Sequence, residues 1–152
     1  MDSILTEMYN ELLLSIKCGR SINKKSIAKP ALLFSIIDAI STKRLRCNQI
    51  LWGDEVIEKN YYKIIKHFGG EIQTPINNPF YHLASASFYH LIWKDNKYSL
   101  YKAHTPSAKY LRENLQYAKF DEELWSLLQE EKNRQYFKNN LIKRYLCDNH
   151  NN

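Results

Sequence analysis

Asn77-Asn78-Pro79-Phe80-Tyr81-His82-Leu83-Ala84-Ser85-Ala86-Ser87-Phe88-Tyr89-His90-Leu91-Ile92-Trp93 is the stretch from which the fold is read. Aromatic and aliphatic residues fill both arms, and Ser85-Ala86-Ser87 lies between them as a turn of small residues, so the stretch predicts a β-hairpin. Pro79 has no N–H to give a ladder and belongs at the mouth or edge of the first strand. Alternation along a strand puts Phe80 and His82 on one face and Pro79 with Tyr81 on the other. His82 and His90 lie among apolar residues. They read either as tucked histidines or as the polar part of a small apolar pocket that the hairpin offers to a ligand.

Upstream, the apolar residues take helical spacing. Ile4, Leu5, Met8, Tyr9, Leu12, Leu13 and Ile16 share one face of a helix from Ser3 to Lys17, read as an ordinary core helix that Gly19 can end. Leu32, Leu33, Ile36, Ile37 and Ile40 give a helix from Pro30 to Ile40 a wide apolar face, so that helix is central. A third runs from about Gly53 to Phe68 and stops at Gly69-Gly70. Between the second and third, Lys43-Arg44-Leu45-Arg46-Cys47 is a basic link with the look of a short strand.

Downstream, Lys94 to Lys97 is a turn, and Tyr98 to Lys102 is a candidate third strand. Thr105-Pro106 reads as an N-cap with its N1 proline, opening a helix that carries Leu111, Leu115 and Ala118. Asp121 caps a short helix with Leu124, Trp125, Leu127 and Leu128 inward, and a last helix spans about Asn133 to Leu146. The expected architecture is α+β: one mostly helical domain, residues 1–146, carrying a small antiparallel β-sheet or hairpin, with a polar tail at 147–152.

Between Glu11 and Asp38 there is no acid, while Lys17, Arg20, Lys24, Lys25 and Lys29 fall inside that gap. A loop holding Gly19, Ser21 and Asn23 beside so much charge can follow a phosphate backbone; a solvated linker is the competing reading. A formal net charge of +6 fits an anionic partner. Cys18, Cys47 and Cys147 are scattered, with neither a disulfide framework nor zinc spacing, which points to a reducing compartment. The N-terminus has no signal-peptide pattern and no apolar run reaches spanning length, so a cytoplasmic protein without a membrane partner is expected.

No phosphate-binding glycine loop, His-Glu-x-x-His or Gly-x-Ser-x-Gly is present. Asp54-Glu55 and Asp121-Glu122-Glu123 open helices, where acids serve caps and the helix dipole. The five histidines include no metal-binding pair. A non-enzymatic chain with no cofactor and no metal follows as the expectation.

Several motifs together resemble the sulfur-binding domain, the phosphorothioated-DNA-reading module of bacterial modification-dependent (type IV) HNH restriction endonucleases. The family's Arg-Ala-Pro-His-Lys-Pro is echoed by Lys25-Ser26-Ile27-Ala28-Lys29-Pro30, and its Tyr-Pro-Phe-x-x-Leu by Asn78-Pro79-Phe80-Tyr81-His82-Leu83. Its closing blocks are echoed by Phe120-Asp121-Glu122-Glu123-Leu124-Trp125-Ser126-Leu127-Leu128 and by Leu141-Ile142-Lys143-Arg144-Tyr145. The order matches across most of the chain. The resemblance implies recognition of duplex DNA in which sulfur replaces a non-bridging oxygen. Pro79 would form part of an apolar cup flanked by Asn78 and Phe80, with His82 next on the segment. Lys25 and Lys29 would meet the backbone, and Arg20 and Lys24 would add contacts by charge. Lys25 stands where the family has arginine and lacks its bidentate fork; Ala28 replaces the family histidine, and Asn78 the tyrosine. The resemblance implies a defence setting in which the cutting is done by a nuclease partner if the chain is whole, or by the missing remainder if it is an excised domain. Two rivals stay open: a cryptic metal-dependent nuclease, and a protein-interaction adaptor of a restriction system using its tyrosine-rich surface.

Overall fold

A computed structural model of the chain describes residues 2–21, 24–69, 74–96 and 104–146. Among these, the first helix, α1, is Asp2–Leu13. Two short strands, β1 (Arg20–Ser21) and β2 (Lys24–Lys25), lead into α2 (Ala28–Ser41). Then come α3 (Glu55–Gly69), α4 (Asn77–His82), β3 (Tyr89–Trp93), α5 (Ala108–Asn114), β4 (Leu115–Phe120), α6 (Glu122–Leu127) and α7 (Glu131–Leu141). The α+β expectation, a helical body with a small antiparallel sheet, holds.

α2 is the axis of the core. Ala31, Leu32, Leu33, Ile36, Ile37 and Ala39 are all fully buried, and a helix apolar all round must be enclosed all round. α3, α4 and α7 pack against it. Its one fully buried polar side chain, Ser35, donates to the Ala31 carbonyl at 2.8 Å, so no hydroxyl is left unsatisfied. α3 starts where Asp54 Oδ1 accepts the N–H groups of Val56 and Ile57 at 3.0 and 3.1 Å.

The hairpin predicted within 77–93 is not formed. Residues 77–82 are the helix α4, followed by a 3-10 turn at Leu83–Ser85. Ile76, Pro79, Phe80 and Leu83 are the buried positions, spaced i, i+3, i+4, i+7, which is a helical stripe. Only the second arm is a strand, and β3 pairs with β4: Tyr89 opposite Phe120, Leu91 opposite Ala118, with a bulge between Ile92 and Trp93. The helix expected to reach Ala118 therefore ends at Asn114. Leu111, Leu115 and Ala118 imitate helical spacing, but from Leu115 the backbone bonds across to β3. Ile50 exchanges both backbone bonds with Ala118 on the other edge, at 2.7 and 2.9 Å. Asn48 caps that edge, its amide meeting the Phe120 carbonyl and N–H at 2.8 and 2.9 Å.

Other boundaries move for local reasons. α1 stops at Leu13 rather than Lys17, because the Tyr145 hydroxyl donates to the Leu13 carbonyl at 2.8 Å and accepts the Ile16 N–H at 3.0 Å. Its apolar face is also only half used: Tyr9, Leu13 and Ile16 are buried, but Ile4, Met8 and Leu12 are exposed. The link at 43–47 is a turn, not a strand, with Lys43 at φ 63° and its N–H on the Ile40 carbonyl. The last helix is α7 plus a π turn at Ile142–Leu146. The candidate strand Tyr98–Lys102 and the polar tail lie outside the described residues. No helix among the described residues is long and apolar enough to cross a membrane.

Candidate nucleic-acid interface

α4 positions the residues singled out at 78–82. A helix replaces strand alternation with a different division of faces: Pro79 and Phe80 turn inward, while Asn78 and His82, one turn apart, remain half-buried. Phe80 is 2% exposed, packs edge-on against Trp52 with ring centroids 5.2 Å apart, and its carbonyl accepts the Tyr89 hydroxyl at 2.7 Å. Its ring is therefore a core anchor that fixes where α4 sits. Pro79 is the third residue of α4, in the first turn, where its missing N–H removes no intrahelical bond. The approach to α4 is held by Tyr62, whose hydroxyl accepts the Ile76 N–H at 2.9 Å.

The outward edge of α4 is tied to the segment before α5. Asn77 donates to the Pro106 carbonyl at 3.0 Å, Asn78 donates to Thr105 Oγ1 at 3.2 Å, and His82 Nε2 lies 3.0 Å from the same oxygen. Thr105 was read from sequence as the cap of α5, but Ser107 is the cap, accepting the Tyr110 N–H at 3.0 Å. Thr105 is thereby free to hold the two polar side chains of α4, a role no local sequence signal marks. Burial, with the Lys29 charge adding to it, pushes the His82 imidazole below its ordinary pKa, favouring the neutral ring.

Lys29, in the first turn of α2, reaches across to this region. Its ammonium donates to the Lys17 carbonyl at 2.7 Å and to Ser85 Oγ at 3.2 Å, joining the start of the basic segment to the turn after α4. Burial lowers its pKa first; repulsion from Lys17 adds to this, and Cys18 partly opposes it. The predicted basic loop has strand pairing at its centre: β1 and β2 run antiparallel, with Arg20 opposite Lys25 and Ser21 opposite Lys24. The Ser26 N–H closes the pair on the Gly19 carbonyl at 2.6 Å. Lys29, Asn78, Pro79 and His82 thus gather where α2 meets α4, and the basic strand pair feeds directly into that corner. Beside it, Leu12, Ile16, Lys17, Ser85, Ser87 and Phe88 are among the residues lining a cleft of about 250 Å3. Among the described residues, no three His, Cys, Asp or Glu side chains gather as a metal site.

No family model matches the chain, and no curated protein matches it significantly. Solved structures do. The sulfur binding domain of ScoMcrA, complexed with phosphorothioated DNA, superposes with a TM-score of 0.68 at 14% identity, over 90% of this chain and 86% of that one. The sulfur binding domain of SprMcrA, also complexed with phosphorothioated DNA, gives 0.62 at 14%, over 96% and 93%. The type IV phosphorothioation-dependent restriction endonuclease ScoMcrA gives 0.66 at 14%, over 90% of this chain but 25% of that one. The chain has the fold of these sulfur binding domains and spans a quarter of the length of the ScoMcrA endonuclease.

Proposed function

We propose that this chain is a DNA-binding module that reads phosphorothioated backbone. The observation that carries the reading is the shared fold, over nine-tenths of the chain, with two domains solved on such DNA. The motif order at Lys25–Pro30 and Asn78–Leu83 supports it independently of the superposition. Residues 1–146 would be the binding unit, with 147–152 a polar tail, serving a bacterial restriction system in the cytoplasm. The module itself would not cut; cleavage would fall to a nuclease partner or to a nuclease domain outside these residues.

The chemistry of the corner fits the substrate. Sulfur is larger and less strongly hydrated than oxygen, so an apolar floor accepts it readily. A phosphate oxygen buried there without a donor would lose roughly 2–7 kcal/mol of hydration. Pro79 and Phe80, both buried, would form the apolar floor, of which only an edge of the donor-less Pro79 ring meets the sulfur, and Asn78 and the neutral His82 would form the polar wall. Lys25, Lys24 and Arg20 would follow the neighbouring phosphates from the strand pair, with Lys29 bracing the corner.

The test is a binding titration with matched duplexes, one phosphorothioated and one ordinary, at several salt concentrations. Tighter binding of the modified duplex, with affinity falling as salt rises, is the expected result. Equal affinity for the two would remove sulfur reading and leave general DNA binding. Chelator-sensitive cleavage by the purified chain would favour the nuclease reading instead.

A further inference from the structure

α1 carries more apolar surface than the fold covers. Ile4, Met8 and Leu12 recur every four residues, which sets them in one row along the helix. They are 73%, 58% and 40% exposed, three of the four large apolar side chains exposed among the described residues. Single exposed apolar residues need no explanation, but a row in helical register marks a contact surface. At its C-terminal end the row enters the 250 Å3 cleft, whose lining Leu12 shares with Ile16, Lys17 and Phe88.

The other edge of the row is acidic. Helical spacing puts Glu7 and Glu11 beside it, and α1 contains no base. Glu7 accepts the Tyr136 hydroxyl at 2.7 Å, yet among the described residues neither carboxylate has a basic group within 4 Å. On a chain of net charge +6, this is a negative edge without an ion pair among the described residues, bounded by Lys17 at the cleft. It repels a phosphate backbone. A second copy paired across a two-fold axis would bring the same carboxylates against their own kind.

We propose that this face docks a basic amphipathic helix of a partner protein. The row from Ile4 to Leu12 is about 12 Å long at 1.5 Å per residue, which suits two turns of a helix with anchors at i, i+4 and i+7. The partner's apolar anchors lie along Ile4, Met8 and Leu12, one of them in the cleft. Its Lys or Arg residues lie over Glu7 and Glu11, where charge sets the orientation. The proposal does not depend on the DNA reading.

The probe is a labelled helical peptide of Leu and Lys with its Leu residues on one face, compared by fluorescence anisotropy with the same peptide carrying Glu for Lys. The full chain should bind the Lys peptide and not the Glu peptide. The exposed double substitution Ile4→Gln, Met8→Gln should weaken binding about tenfold, as loss of an anchor does. Glu7→Gln with Glu11→Gln should weaken it as well, and none of these should change duplex affinity. Equal binding of both peptides, or indifference to Ile4→Gln, Met8→Gln, overturns the proposal. So does a chain that sediments as a dimer until Met8 is replaced, because the occupant is then a second copy. Loss of duplex binding in Met8→Gln would place the face in the DNA interface and overturn it too.

Discussion

The Tyr9 hydroxyl donates to Asp121 Oδ2 at 2.8 Å, across 112 residues of sequence. The other oxygen of the same carboxylate lies 2.6 Å from His90 Nε2. One side chain thus joins α1, β3 and the start of α6. Asp121 occupies the N-cap position of α6, as the sequence indicates, but its side chain makes no cap bond. It is committed to the tertiary contact instead.

Asp121→Asn should destabilise the fold by about 1 kcal/mol, a charged hydrogen bond discounted for a carboxylate still 32% exposed. Burial raises the Asp121 pKa, but hydrogen bonds from His90 and Tyr9 and the nearby His90 and Lys119 charges outweigh it, so the net shift is downward. A lowered folded-state pKa gives stability that is present above the unfolded value, about 3.9, and is lost as pH falls through the folded one. Denaturant melts should therefore separate wild type from Asp121→Asn at neutral pH and converge in strong acid. A gap that persists there would show that the carboxylate's charge is not the cause.

Lys25 and Lys29 should part company. Lys25→Ala should flatten the log–log salt dependence of duplex binding by about 0.9, one phosphate's share, and leave the melting temperature alone. Lys29→Met should lower the melting temperature as well, because it removes both bonds that join Lys17 to Ser85. Equal melting temperatures for the two variants would assign Lys29 to the surface only.

Pro79 is buried in the first turn of α4, so only an edge of its ring can meet a ligand; Pro79→Ala should reduce the preference for phosphorothioate over phosphate by about 0.3 kcal/mol, at about 25 cal/mol per Å2. Affinity for ordinary duplex should stay within about twofold, since the basic residues remain. Alanine suits a helix interior, so α4 should survive, and an unchanged circular-dichroism spectrum checks it. A retained preference would place the sulfur reader elsewhere.

His82 should make binding pH-dependent. Its pKa lies below 6.5, so the ring is neutral at pH 7 and gains a proton only in acid. Phosphate favours the charged ring, so duplex affinity should rise between pH 7 and pH 5, and His82→Asn should abolish the rise. For the free protein the sign is opposite: stability is full above the unfolded value and falls as pH drops through the lowered one. Thr105→Val should weaken duplex binding and also lower the melting temperature slightly, because it frees both Asn78 and His82 from part-buried hydrogen bonds. Wild-type affinity flat across that pH range would remove His82 from the interface.

The large helices were legible because burial leaves a period in the sequence: Leu32, Leu33, Ile36 and Ile37 can only belong to an enclosed helix. α4 was misread because its aromatic run suits a strand by composition. The deciding signal was the spacing of Ile76, Pro79, Phe80 and Leu83, about two turns that are easily lost among Tyr81 and Phe88. The partner of β3 begins 22 residues after Trp93, at Leu115, and no local pattern names a partner at that distance. The candidate site shows the same division. Asn78, Pro79 and His82 stood out as residues, but which of them faces inward depends on the helix, and the part played by Thr105 depends on a contact across 27 residues.

The hydroxyl bridge from Tyr145 to Leu13 and Ile16 has a consequence for synthesis. Every long-range hydrogen bond that α1 makes among the described residues runs to residue 121 or beyond: Tyr9 to Asp121, Glu7 to Tyr136, Asn10 to Asn140, Leu13 to Tyr145. On a ribosome that adds about 5–20 residues per second, α1 must wait several seconds for its seat to emerge. α1 leaves the exit tunnel before every element it bonds to at long range and is placed after them, and until then its whole apolar face is available to chaperones.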